Sequence, residues 1–141
     1  MSNTKTMLAT LALGATVALA GPAFAEKMKA TLDGKSEVPA NASAGTGTAD
    51  IDYDAATKKL TWKVTYSGLS GPATAAHFHG PAEAGKNAGV AVAIPNATSS
   101  PAEGSATLTD AQAADLTAGK YYVNIHTAAN PAGEIRGQVT K

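Results

Sequence analysis

The chain has 141 residues and is 44% hydrophobic, but Ala supplies 32 positions and aromatics only 5%, so a core must come from Val, Ile, Leu and a few rings. That suits one modest domain. Eleven Lys plus Arg balance eleven Asp plus Glu with no basic block, which argues against nucleic acid or an anionic membrane as a partner. Cys is absent, which excludes disulfide scaffolds, thiolate metal centres and thiol nucleophiles together and leaves oxygen and nitrogen chemistry.

Residues 1–25 read as a secretory signal: Lys5, an apolar stretch from Met7 to Ala20, a break at Gly21-Pro22, and the small-residue site Ala23-Phe24-Ala25 with cleavage after Ala25. The alternative is an uncleaved anchor, but the apolar stretch falls short of the roughly 20 residues that span a bilayer. Cleavage leaves residues 26–141 as one exported domain with no membrane span, ten basic and eleven acidic residues, and Glu26 at the new N-terminus. A short leader with one lysine is of bacterial type and points to the periplasm, or to secretion.

From Lys27 onward the clearest period is two. Met28 to Asp33 opens the series, and Ile51 with Tyr53 follows. Leu60, Trp62, Val64 and Tyr66 alternate with Thr61, Lys63 and Thr65. Ala73 to His79, Val90 to Ile94, Gly104 to Leu108, Val123 with Ile125, and Ile135 with Val139 complete about eight short segments bounded by Gly, Pro, Asn or Asp. The pattern predicts an all-β fold, a single antiparallel Greek-key sandwich or barrel. Asp110 to Gly119, with Thr109 or Asp110 as N-cap, predicts one helix of one to two turns crossing between strands. Pro39 to Gly45 and Pro95 to Pro101 read as loops. Asp50, Asp52 and Asp54 share one strand face, either as solvated residues entering a turn at Asp54 to Thr57 or as a calcium site, the former being favoured.

Three histidines carry the most information. In Ala76-His-Phe-His-Gly80 the strand period puts His77 and His79 on one face and Phe78 on the other. In Tyr121-Tyr-Val-Asn-Ile-His-Thr127, Val123 and Ile125 form the apolar set, and Tyr122, Asn124 and His126 the opposite one. If the two strands are neighbours, three ring nitrogens can converge on one ion. Nitrogen ligation without thiolate suits copper, zinc or nickel, and the affinity order favours Cu(II). The plain alternative is a set of solvated histidines, and on spacing alone the two stay open. In Gly133-Glu-Ile-Arg-Gly137, Ile135 points inward, so Glu134 and Arg136 share the outer face. With Asn124 they are candidates to orient an imidazole through its other N–H; alternatively Glu134 and Arg136 form a surface ion pair, or Glu134 is itself a ligand. No catalytic constellation is present: no Gly-x-Ser-x-Gly elbow, no phosphate-binding Gly loop with its Lys, and no acid pair singled out by spacing.

Leu32-Asp-Gly-Lys-Ser-Glu-Val-Pro39, Ala49 to Tyr53, Tyr66-Ser-Gly-Leu69, Thr74-Ala-Ala-His-Phe-His-Gly-Pro81, Leu116-Thr-Ala-Gly119, Tyr122-Val-Asn-Ile-His-Thr127 and Gly133-Glu-Ile-Arg-Gly-Gln138 resemble the CHRD domain, named for its occurrence in chordin and widespread in secreted bacterial proteins. The resemblance runs from about Leu32 to Val139. Phe78 stands where the family usually has Ile, and Ala40 where it often has a second Pro. It implies an immunoglobulin-like or Cu,Zn superoxide dismutase-like sandwich, and by fold-level analogy His77, His79 and His126 are similar to histidines that hold copper on the outside of the dismutase barrel.

The leading expectation is therefore an exported protein binding Cu(II), with zinc or nickel as lesser candidates, for storage, buffering or delivery, its partners the ion and a periplasmic metal-handling protein. Only Met28 remains after cleavage, so no Met-rich Cu(I) site is expected. The alternatives are a non-catalytic extracellular structural or interaction module, and a copper redox enzyme of dismutase type. The enzyme is disfavoured because the chain has no further histidines to complete such a centre.

Overall fold

The computed structural model describes residues 14–16 and 25–141. The signal segment, apart from residues 14–16 and 25, lies outside the described residues. Eight strands and one helix follow in the order β1 (Glu26–Asp33), β2 (Thr46–Asp54), β3 (Lys59–Ser67), β4 (Ala73–His79), β5 (Val90–Ile94), β6 (Ala102–Thr107), α1 (Asp110–Thr117), β7 (Tyr122–Thr127) and β8 (Ile135–Gln138). All pairings are antiparallel, and the sheet order is β5-β4-β7-β8-β1-β2-β3-β6. The predicted all-β architecture with one short crossing helix is the one observed.

The period of two dictates where the core sits. On β3 Leu60, Trp62 and Val64 are buried while Thr61, Lys63 and Thr65 are exposed, and on β2 Ala49, Ile51 and Tyr53 point inward in the same way. β1 contributes Met28, Ala30 and Leu32. The β1–β8 seam is pinned by the register pair Asp33 with Arg136 and, just past β8, by Lys29 and Thr140, whose backbones exchange two hydrogen bonds of 2.8 Å; across it the two halves of the sheet face each other. Phe78 of β4 then meets Trp62 of β3 edge to face, ring centroids 5.2 Å apart. The outer strands β5 and β6 approach one another, leaving the sheet nearly closed like a barrel.

Close backbone approach at the seam explains one of the glycines. A side-chain carbon at Gly137 would overlap the Thr31 carbonyl, so β8 reaches β1 only without one. The helix starts where the sequence predicts. Thr109 is the N-cap, its Oγ1 accepting from Gln112 N–H at 3.1 Å while Gln112 Oε1 accepts from Thr109 N–H at 3.0 Å, a reciprocal capping box. Gln112 Nε2 also donates to Ala91 O at 3.0 Å, tying the helix to β5.

The aspartate row on β2 lies on the solvent side. Asp52 pairs with Lys27 at 3.0 Å, and Asp54 Oδ1 accepts from Ala56 N–H at 2.9 Å, forming the turn into β3. Both contacts serve strand and turn, in line with the solvated-face reading.

Candidate metal centre

β4 and β7 are direct neighbours, in a register that sets Ala75 opposite His126, His77 opposite Asn124, and His79 opposite Tyr122. Every second residue faces outward, so β4 presents His77 and His79 on the same face on which β7 presents Tyr122, Asn124 and His126. His126 lies diagonally from His77, and their Nε2 and Nδ1 atoms are 3.1 Å apart. One ring nitrogen from each of the three histidines lies within 4.8 Å of the others.

That spacing fits one ion. Two nitrogens 3.1 Å apart, each about 2.0–2.1 Å from a metal, subtend roughly 100° at it. Two nitrogens on one ion lie at most about 4.1 Å apart, and only when opposite, so a pair at the 4.8 Å limit has to close by at least about 0.7 Å for all three to share it.

Two of the imidazoles are held from behind by backbone carbonyls. His126 Nδ1–H donates to Pro131 O at 2.9 Å, which leaves Nε2 bare and turned toward His77. His77 Nδ1–H then donates to that bare nitrogen, so a proton occupies the place a cation would take. His79 Nδ1 lies 3.0 Å from Ala88 O and its Nε2 2.9 Å from Asn124 Oδ1; both partners are acceptors, and a neutral ring donates to only one of them. The His79 ring also stacks on Tyr122, 4.8 Å between centroids and 5° from parallel. Burial, and then the nearby His126 and His79, lower the His77 pKa; burial also lowers that of His79, against hydrogen bonds to Ala88 and Asn124. Burial thus favours the neutral form of both rings, the form that binds metal.

The outer face of β4, β7 and β8 is not a water-facing surface. The loops over residues 34–45, 80–89 and 128–134 roof it, so Tyr122, Asn124, Glu134 and Arg136 are buried despite pointing away from the core. Of the residues expected to orient the histidines, Asn124 does so directly through His79. Glu134 and Arg136 hydrogen-bond to none of the three rings, and they are neither exposed nor paired with each other.

Glu134 accepts instead from Ser70 N–H (2.9 Å), Ser70 Oγ, Ser43 Oγ (2.9 Å), Thr127 Oγ1 (2.8 Å) and Asn130 Nδ2 (3.1 Å). Burial alone would raise its pKa, but the donors from Ser70, Thr127 and Ser43 overcome it and hold the carboxyl at about 2. Arg136 lays its guanidinium 3.5 Å from the centre of the Tyr122 ring, and donates to Asn87 Oδ1 (2.9 Å) and to Lys86 O. Both residues pin loops over the histidine face.

Glu37 and Tyr122 were given no role by the spacing of the sequence. Glu37 is 6% exposed, and burial pushes its carboxyl up to about 7 against the pull of Arg136 and Asn124. Its one signal in the sequence is a charged residue within the loop segment Ser36-Glu-Val-Pro39. Gly133, at φ +131°, has to be glycine because a side-chain carbon there would overlap Glu37 and Asn124.

The fold and this face together define a small all-β sandwich module with a loop-roofed histidine cluster. The chain belongs to the CHRD domain family, whose model matches residues 28–139, from β1 to the residue after β8. Membership marks it as a module of extracellular type. Neither a curated protein nor a solved structure matches the chain. Among the described residues no helix is long and apolar enough to cross a membrane.

Proposed function

We propose that this CHRD protein is exported through a cleaved leader and binds a divalent ion, Cu(II), through His77, His79 and His126, for storage, buffering or delivery in the periplasm. The observation that carries the reading is the 3.1 Å approach of His77 Nδ1 to His126 Nε2, with a nitrogen of His79 in the same cluster. His79 and His126, held by the Ala88 and Pro131 carbonyls, are ligands whose orientation is set before the ion arrives, which lowers the ordering cost of binding. With no thiolate in the chain, the donor set favours Cu(II) over zinc and nickel on the general affinity order.

Uptake displaces the proton shared by His77 and His126, which moves His77 to its other tautomer, and His79 exchanges its Asn124 partner for the ion. Three protein ligands leave coordination positions for water or for a partner's donor, as transfer requires. A second reading rests on the same Asn124 contact: His79 already has partners on both ring nitrogens, as expected of a purely structural polar layer in an extracellular interaction module. The dismutase-like redox reading has no further histidine to stand on.

Titration of the metal-stripped protein with Cu(II), followed by electron paramagnetic resonance, separates them. We expect one equivalent with nitrogen hyperfine structure, lost in His77→Ala/His126→Ala while the fold is retained. The absence of stoichiometric binding in the unmodified protein refutes the metal reading and leaves the interaction module.

A further inference from the structure

Glu37 belongs to the loop between β1 and β2, outside the three histidines, yet it abuts a residue that touches one of them. It is 6% exposed, and its Oε1 is buried without a hydrogen-bond donor. Over the bare α-carbon of Gly133 that oxygen lies beside Asn124 Nδ2, and the other end of the same amide, Oδ1, is 2.9 Å from His79 Nε2. Glu37, Asn124 and His79 thus form a row of polar side chains drawn from a loop, β7 and β4.

With the amide in this orientation the row does not balance. His79 faces an acceptor at both nitrogens, Ala88 O and Asn124 Oδ1, and a neutral ring has one N–H. Turning the Asn124 amide end for end brings Nδ2–H to His79 Nε2, and His79 Nδ1–H is then free to serve Ala88 O. The turn gives up only the 3.4 Å contact of Nδ2 with Ala132 O. It also places Asn124 Oδ1 beside Glu37 Oε1, where two buried oxygens can meet only if one carries a proton. A neutral Glu37 supplies it. The carboxyl forms no salt bridge with Arg136 among the described residues, and the guanidinium is directed instead at Asn87 Oδ1, Lys86 O and the Tyr122 ring. Burial pushes the carboxyl up to about 7 against the pull of Arg136, Asn124 and the Val38 N–H, which agrees with a proton held there.

We propose that Glu37 is a positioning residue for the metal centre: as a neutral acid it donates to Asn124 Oδ1, Asn124 Nδ2 donates to His79 Nε2, and the ring is kept in the tautomer whose Nε2 lone pair can pass from the amide to the ion. With no donor at position 37 the amide turns its oxygen to His79, and Nε2 carries a proton that has to leave before the ion enters. The inference rests on the metal reading above and extends it to a residue outside the ligand set.

Long-range ¹H–¹⁵N spectra of the metal-free protein tell a bare ring nitrogen from a protonated one. They are recorded at about pH 6, on the acid side of the carboxyl's value of about 7, for the unmodified protein, Glu37→Gln and Glu37→Leu. Gln keeps a donor where the acid has its O–H, and Leu keeps volume alone. A bare His79 Nε2 is expected in the unmodified protein and in Glu37→Gln, and Nε2–H in Glu37→Leu. Titration with Cu(II) is expected to give equal affinities for the first two and a value about tenfold weaker for Glu37→Leu, the loss of roughly one net hydrogen bond. Nε2–H in the unmodified protein overturns the proposal whether or not Glu37→Leu folds, and so does an unmoved tautomer in a folded Glu37→Leu, the result of a merely structural Glu37. If the unmodified protein binds no copper, the metal reading fails and takes the role of Glu37 at the centre with it; the tautomers, read without metal, tell that failure from a failure of the hydrogen-bonded row.

Discussion

Replacing Glu134 by Gln tests whether the roof over the histidine face is held by one buried charge. The carboxylate is fully buried and accepts from Ser43, Ser70 and Asn130 of three separate loops and from Thr127 at the end of β7. Its pKa falls from 4.5 to about 2 on folding, which at 1.36 kcal/mol per pH unit is worth about 3 kcal/mol. Because the folded-state pKa is the lower one, this stability is present in full above pH 4.5 and is lost as pH falls toward about 2. Gln resembles the protonated acid and adds a donor among donors, so Glu134→Gln is expected to lose about 3 kcal/mol at pH 7, a large share of a total near 5–15 kcal/mol. Urea unfolding, followed by the fluorescence of Trp62, the only tryptophan, measures the loss at a series of pH values. The difference between the two proteins should shrink from pH 4.5 to pH 2, whereas contributions from His77, His79 and Glu37 cancel in the subtraction. A loss below about 1 kcal/mol at pH 7, or a difference that ignores pH across that window, refutes the reasoning.

Two further substitutions probe the scaffold. Gly137→Ala forces a methyl group against the Thr31 carbonyl at the β1–β8 seam, and urea unfolding should show a loss of about 2–3 kcal/mol; an unchanged midpoint would mean that the seam yields freely. Thr109→Ala removes the helix N-cap at an exposed site and is expected to cost about 1 kcal/mol, seen as a fall of roughly 4 °C in the thermal midpoint, with the β-sheet signal in circular dichroism unchanged.

The strands were legible because each carries its own evidence. Leu60, Trp62 and Val64 alternate with Thr61, Lys63 and Thr65 inside a single nine-residue strand, so burial on one side alone produces the pattern. The helix was equally local: Thr109 and Gln112 are three residues apart, and their reciprocal bonds need nothing else. The histidine pairing was legible up to one condition, the adjacency of β4 and β7. That condition depends on a connection running through β5, β6 and α1, which no spacing rule reads.

What the strand period could not convey is that a residue turned away from the core can still be buried. Tyr122, Asn124, Glu134 and Arg136 occupy outward positions, and an alternation rule assigns such positions to water. They are dry because Gly- and Pro-rich loops, polar in sequence and without periodicity, fold back over that side of the sheet. Such a roof has to satisfy its own backbone and the polar side chains beneath it, and the partners lie far apart in sequence: Ser43 with Glu134, Asn87 with Arg136 and Val38, Ala88 with Tyr122 and His79. The same covering is what gives the face chemical character. Under solvent, His77 and His79 would protonate more readily and the rings would be held loosely; beneath the loops, burial lowers the pKa of His77 and His79, and carbonyls from two of the roofing loops fix His79 and His126. The polar loops are thus the source both of the site's order and of its invisibility to a reading based on period alone.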